Sequence, residues 1–304
     1  MDDKRVLVTG GAGFIGGALV DSLREEADVR VLDIDPDPNP PSDIEVIEGD
    51  VRDPEAVAAA MDGVDTVFHE AALVSVADSV AHPMESHTIN ATGTLQVLEA
   101  AREHDARVVV ASSAAVYGDP DAVPVAESAG LDPTSPYGVD KLAIDHYTRL
   151  YHELYGLDTV ALRYFNVYGP GQTGGDYAGV IDAFADQARS GEPITVHGDG
   201  EQTRDFVHID DVVRANRLAA TTDNVGVAYN IGTGESVTIR ALAEKIRASV
   251  GSDSEIVHTE AREGDIRHSR ADITRARERL GYEPTVDLDS GLDTLVDAAP
   301  TPPN

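Results

Sequence analysis

The sequence predicts an α/β fold, a doubly wound parallel sheet with a smaller mixed α/β C-terminal lobe. Three observations carry this prediction. Short β-branched runs alternate with amphipathic helical patterns through the first half of the 304 residues, which is the pattern of βαβ units and a parallel sheet. A glycine-rich turn follows the first of those runs directly. Beyond about residue 166 the alternation breaks down, and Gly and Pro accumulate from Gly169 to Gly175.

Taken in order, the expected strands are Arg5–Thr9, Asp28–Asp33, Ile44–Glu48, Thr66–His69, Val108–Ser112 and Thr159–Arg163. Between most of them lie amphipathic stretches, notably Gly13–Glu26, Pro83–His104 and Tyr137–Tyr155. Right-handed crossovers wind such units into an open sheet with helices on both faces. Residues 1–166 are therefore expected to form one domain, with 207–231 (a helix, then a strand) returning to it. Residues 167–206 and 232–304 are expected to form the smaller lobe, and Pro300–Asn304 to fray.

Composition limits the partners. Twenty-three basic residues against 55 acidic ones give a net charge of −32, a surface that repels nucleic acid phosphates and anionic membranes. The acidic balance resembles that of proteins from salt-loving archaea, in which concentrated salt screens the self-repulsion. Cysteine is absent, so there are no disulfides or thiolate metal sites. His69-Glu70 and Asp210-Asp211 have no further ligands at metal-binding spacing, and no metal site is expected. No apolar run is long enough to span a membrane, and Met1–Arg5 lead straight into a strand without a signal-peptide pattern. A cytoplasmic location is expected.

The turn after the first strand reads Gly10-Gly11-Ala12-Gly13-Phe14-Ile15-Gly16, with Gly10, Gly13 and Gly16 at G-x-x-G-x-x-G spacing. Glycines there permit a tight turn, close approach of backbone amides to a pyrophosphate, and close helix–sheet packing. The helix N-terminus adds partial positive charge. The second strand ends on Asp33, about twenty residues beyond the loop, where a carboxylate accepts from ribose hydroxyls. Ile34-Asp35-Pro36 would repel a 2′-phosphate, so NAD is favoured over NADP. Asp50, in Gly49-Asp50-Val51 after the third strand, is placed to reach the adenine amino group. Small Ala71 and Ala72 follow the fourth strand, where backbone passes close to the cofactor.

Tyr137 and Lys141 are one turn apart on a predicted helix, so both face the same way. An ammonium beside a phenol favours phenolate and is expected to lower the phenol's pKa, making it a usable general base for a sugar hydroxyl. Lys141 is one of only three lysines, with Lys4 and Lys245. Ser113 follows the fifth predicted strand, where its hydroxyl can share an oxygen with Tyr137.

With these residues in place, the chain resembles the extended short-chain dehydrogenases/reductases of the NAD-dependent nucleotide-sugar epimerase/dehydratase family. The resemblance takes in the Gly loop, Asp33, Gly49-Asp50-Val51, Asn90 in Ile-Asn-Ala-Thr-Gly-Thr, Ser113, Tyr137 and Lys141. It continues through Leu162–Pro170, Gly198–Phe206, Arg262–Asp265 and Leu280–Pro284. It implies a Rossmann fold binding NAD tightly through the loop (Phe14 and Ile15 included), Asp33, Asp50, Val51, Ala71, Ala72, Asn90, Tyr137, Lys141 and Phe165. It implies a nucleotide-diphosphate grip by Asn166, Arg204, Arg262 and Asp265, with Val180 and Ser269 also lining the substrate site. Tyr137 would take the 4-hydroxyl proton while hydride leaves C4 for NAD. Lys141 would hold the nicotinamide ribose, and Ser113 would bond the reacting oxygen. Pro83–His104 and Tyr137–Tyr155 resemble the family's dimer helices, so a homodimer is expected.

The reaction expected is inversion at C4 of a UDP-sugar through a transient 4-keto sugar. Similar dehydratases carry an Asp-Glu pair after the catalytic Ser/Thr, whereas this chain has Ala114 and Ala115, which cannot transfer protons. Decarboxylation of a nucleotide-linked glucuronate, uronate epimerisation and reduction by exchangeable cofactor stay open. In 4-epimerases of the family a bulky tyrosine four residues beyond the Asp265 position excludes N-acetylated sugars. Here that residue is Ser269, which points to UDP-glucose and the N-acetylhexosamine forms. His268 is read as structural.

Overall fold

The computed structural model describes residues 4–172, 179–262 and 264–297. Met1–Asp3, Glu263, Pro300–Asn304 and part of the Gly169–Gly175 run lie outside the described residues. Seven parallel strands form the central sheet, in the spatial order Glu45–Glu48, Asp28–Asp33, Arg5–Thr9, Thr66–His69, Arg107–Ser113, Thr159–Tyr164 and Val227–Ile231. The chain winds outward from the Arg5–Thr9 strand in both directions, which is the doubly wound Rossmann arrangement. Inner strands such as Arg5–Thr9 and Thr159–Tyr164 bury almost every residue. That is why they read as continuous Val/Ile/Leu runs rather than alternating patterns.

One core lies on the face packed by helices Phe14–Leu23 and Ile209–Ala219, and includes Leu19, Phe68, Leu162 and Val212. A second lies under helices Pro54–Met61, Gly93–His104 and Pro136–Tyr155, and includes Leu7, Val97, Leu98 and Ile144. A third core, around Ile181, Phe184, Val196, Leu242 and Leu292, belongs to helices Val180–Ser190, Ile239–Val250 and Leu288–Asp297. Three two-stranded ladders accompany it: Phe206–His208 parallel to Asn166–Tyr168, Ile256–Thr259 parallel to Ile194–His197, and Val237–Thr238 antiparallel to Thr203–Arg204.

The stretch 83–104 forms the single helix expected, widened by a π-helical turn over Thr88–Thr92 between Pro83–His87 and Gly93–His104, with helical backbone at each junction. The Asn90 side chain accepts from the Leu73 amide at 2.8 Å and donates to its carbonyl at 3.0 Å, and the Asn90 carbonyl takes a bond from the Thr94 hydroxyl at 2.6 Å.

Candidate active site

All the strands of the sheet point their C-terminal ends at one edge, and that edge carries the site. The glycine loop there is constrained by space. Gly10 has φ +72°, and a Cβ on it would lie 2.7 Å from the Ala71 amide nitrogen. A Cβ on Gly16 would overlap the Gly10 carbonyl oxygen. Helix Phe14–Leu23 starts without a side-chain cap and has no acidic residue in its first turn, so its N-terminal amides face the cleft as an anion site. These observations fit a dinucleotide pyrophosphate. Phe14 and Ile15 pack against the first core.

Asp33 ends its strand beside this loop. One carboxylate oxygen accepts from the Ala12 amide at 2.9 Å, the other from Asp35 at 3.0 Å. Asp50 is clasped by Arg52, whose Nη2 lies 2.5 Å away, and that bond holds its carboxyl below the usual range. An adenine amino group would have to share it with Arg52. Val51 is buried in the second core against Gly93. Ala71 and Ala72 directly follow strand Thr66–His69, and the Asn90 amide is spent on Leu73 and Ser86. Phe165 is buried in the first core, so toward the cleft it can offer only backbone.

Ser113, Tyr137 and Lys141 converge from two elements. Ser113 ends the fifth strand and accepts from the Ala115 amide at 3.1 Å. Helix Pro136–Tyr155 is started by Ser135, which accepts from Gly138 N, with Pro136 at its first position. Tyr137 sits in the first turn, its amide donating to Ser79 Oγ at 3.1 Å. One turn on, Lys141 is buried, its Nζ 2.7 Å from the Ala111 carbonyl and 5.8 Å from the Tyr137 ring centroid.

The expected lowering of the phenol is corrected here. Burial pushes Tyr137 up, and only a hydrogen bond from Ser113 pulls it back. Lys141 is held by a backbone carbonyl, and burial brings the ammonium itself down to about 8, with Glu70 and Asp140 opposing.

The arginine end of the cleft is assembled from distant segments. Thr203 N donates to the Arg267 carbonyl and Ser269 N to the Thr203 carbonyl, both at 3.0 Å, splicing 203–204 to 267–269. Arg204 is buried and paired with Asp265, and it also donates to the Thr203 carbonyl at 2.8 Å. Arg262 is exposed, its Nη2 3.1 Å from His197 Nε2. Ser269 is buried, and His268 bonds the Thr203 hydroxyl at 3.1 Å. Asn166 is exposed, at the start of its short strand. Val180 opens its helix against the third core.

Over residues 6–232 the chain matches the family described as NAD dependent epimerase/dehydratase. It belongs to that family. It is 37% identical to a UDP-glucose 4-epimerase of Mycolicibacterium smegmatis, covering 96% of this chain and 97% of that protein. Among solved structures it is similar to the Thermotoga maritima UDP-glucose 4-epimerase with UDP-glucose, at TM-score 0.93 and 38% identity, covering 97% and 98% of the two chains. It is equally similar to the UDP-N-acetylglucosamine 4-epimerase of Methanobrevibacter ruminantium in complex with UDP-N-acetylmuramic acid, at TM-score 0.93 and 37% identity over 98% of both chains.

Within this family member, two supporting residues escaped the sequence reading. Gly138 lets the helix start approach the serine turn, because a Cβ there would lie 2.9 Å from the Ala115 carbonyl oxygen. Its place inside Tyr137–Lys141 was a usable signal. Asp205 is buried and accepts from Thr233 N and Oγ1, Gly234 N and Ala271 N, tying the ends of distant segments together under the cleft. No local pattern announces it. Among the described residues no cluster of three or more metal-ligating side chains occurs, and no helix is long and apolar enough to cross a membrane.

Proposed function

We propose that the chain is an NAD-dependent epimerase that inverts C4 of a UDP-sugar, UDP-glucose/UDP-galactose or the N-acetylhexosamine forms. The observation carrying this reading is the meeting of Ser113, Tyr137 and Lys141 at the sheet edge, beside an uncapped helix N-terminus. Tyr137 takes the proton of the 4-hydroxyl, and Ser113 bonds the same oxygen and holds it in line. Lys141 binds the nicotinamide ribose and keeps positive charge beside the phenol. When bound, NAD would supply the hydride acceptor and donor that inversion at C4 requires. Ala114 and Ala115 leave C6 without a proton donor, which disfavours dehydration. Arg204, Arg262 and Asn166 hold the diphosphate, and Asp265 accepts from the uridine ribose, so the sugar can turn while the nucleotide stays fixed. Asp33, with no cation after it, selects NAD.

On this reading residues 1–166, with 207–231, are the NAD-binding domain, and 167–206 with 232–304 the nucleotide-sugar lobe. Val80, Met84, Val139, Leu150 and Leu154 are exposed on helices that pack together, an apolar face suited to a homodimer. The charge of −32 fits a cytoplasm rich in salt. A dimeric mass in concentrated salt is expected, and a monomeric one would overturn that assembly.

The activity is tested by incubating the protein with UDP-glucose, UDP-N-acetylglucosamine and UDP-glucuronate, without added cofactor, and separating the products. C4 epimers of the neutral sugars are expected. Release of carbon dioxide, or an absolute need for added reductant, would sink the reading.

A further inference from the structure

Tyr137 is the second residue of its helix, in the turn whose amides have no carbonyl of the helix to bond. How those amides are satisfied decides how firmly the tyrosine is held. Pro136 has no N–H. Val139 N donates to the Ser135 carbonyl at 2.9 Å and Gly138 N to the Ser135 hydroxyl at 3.1 Å. Of these donors Tyr137 N alone turns to a distant segment. It donates at 3.1 Å to the hydroxyl of Ser79, 58 residues earlier in the chain.

Ser79 is fully buried, so water does not compete for that bond. Its own proton is committed, since Ser79 Oγ donates to the Val76 carbonyl at 2.7 Å and keeps its lone pairs for the Tyr137 amide. The segment carrying Ser79 is itself anchored. Helix Val76–Ala81 is started by Ser75, which accepts from Asp78 N at 3.0 Å. Before it, Leu73 is bonded in both directions to the Asn90 side chain. After it, Ser86 and His87 bond the two carboxylate oxygens of Asp140 at 2.7 and 2.8 Å. The stretch from Leu73 to Asn90 therefore grips helix Pro136–Tyr155 at two points, at Tyr137 and at the residue before Lys141.

We propose that Ser79 is a positioning residue for Tyr137, a cap supplied from outside the helix that fixes the backbone from which the phenol is presented.

The bond goes to the amide and leaves the phenol free for substrate. Ser135 does not substitute for it, because its hydroxyl already serves Gly138 and its carbonyl Val139. An amide left unpaired at a helix start lets the first turn fray, and misplacing a reacting group by about 1 Å costs on the order of 10²-fold in rate. Ser79 touches neither the glycine loop nor the arginine end, so its loss falls on the chemical step.

The catalytic consequence rests on reading Tyr137 as the base, whereas the bond itself is tested without substrate. Amide hydrogen exchange followed by NMR should show the Tyr137 N–H protected in the wild type. In Ser79→Ala its protection should fall roughly 10-fold or more, with Ile144 and Thr148 of the same helix unchanged. In the epimerase assay Ser79→Ala should lower kcat roughly 10–100-fold, with KM for the UDP-sugar and bound NAD unchanged. Ser79→Thr, which keeps the hydroxyl, should recover most of both losses. A freely exchanging Tyr137 amide in the wild type overturns the proposal without any variant. So does unaltered protection or unaltered kcat in Ser79→Ala. A loss of protection spread along the whole helix marks a merely structural role and overturns it as well. The expected exchange in a protein whose wild type epimerises no UDP-sugar would instead count against the functional reading alone.

Discussion

On the proposed reading the glycine loop and the arginine end serve one cleft but prepare for their ligands differently. At the loop the ligand-facing groups are backbone amides, fixed by Gly10 and Gly16 and left without a side-chain cap. At the other end the proposed ones are long side chains already engaged, Arg204 with Asp265 and Arg262 with His197. The first arrangement costs no reorganisation when an anion arrives, whereas the second must exchange one partner for another. This contrast suits a cofactor that stays through each cycle and a substrate that must leave.

Replacing Gly16 by Ala breaks the first region outright. Its Cβ would occupy the position of the Gly10 carbonyl oxygen, so purified protein should lose its bound dinucleotide and all turnover. UDP binding by calorimetry should survive, and retained NAD would show that the loop is not where the cofactor sits. Next in size, Tyr137→Phe should leave both regions binding and lower kcat by about 10²–10⁴-fold. Full activity would remove Tyr137 from the chemistry. Arg204→Ala sharpens the second region. Loss of a charged donor should raise KM for the UDP-sugar roughly 10–100-fold with bound NAD unchanged, and an unaltered KM would mean that Arg204 serves only to anchor Asp265.

Legibility in the sequence tracked the distance between interacting residues. The sheet was readable because its inner strands are buried on both faces and so spell near-continuous apolar runs. Tyr137 and Lys141 were readable because a helix repeats within four residues. Stretch 83–104 reads as one helix and is one, but the π-helical turn at Thr88–Thr92, where Asn90 reaches back to Leu73, has no local signal. The bond that Glu70 takes from the Tyr164 hydroxyl had no sequence signal, since the two residues lie far apart along the chain.

Sequence by itself determined the parallel sheet, the glycine loop at its edge and the helix that presents Tyr137, because each follows from local periodicity and backbone sterics. Only the tertiary structure decided the charge states. Tyr137 is pushed up rather than down, Lys141 falls to about 8, and Glu70 rises to about 7. Those states depend on burial and on opposing charges brought together across the sheet edge, and no spacing along the chain encodes them.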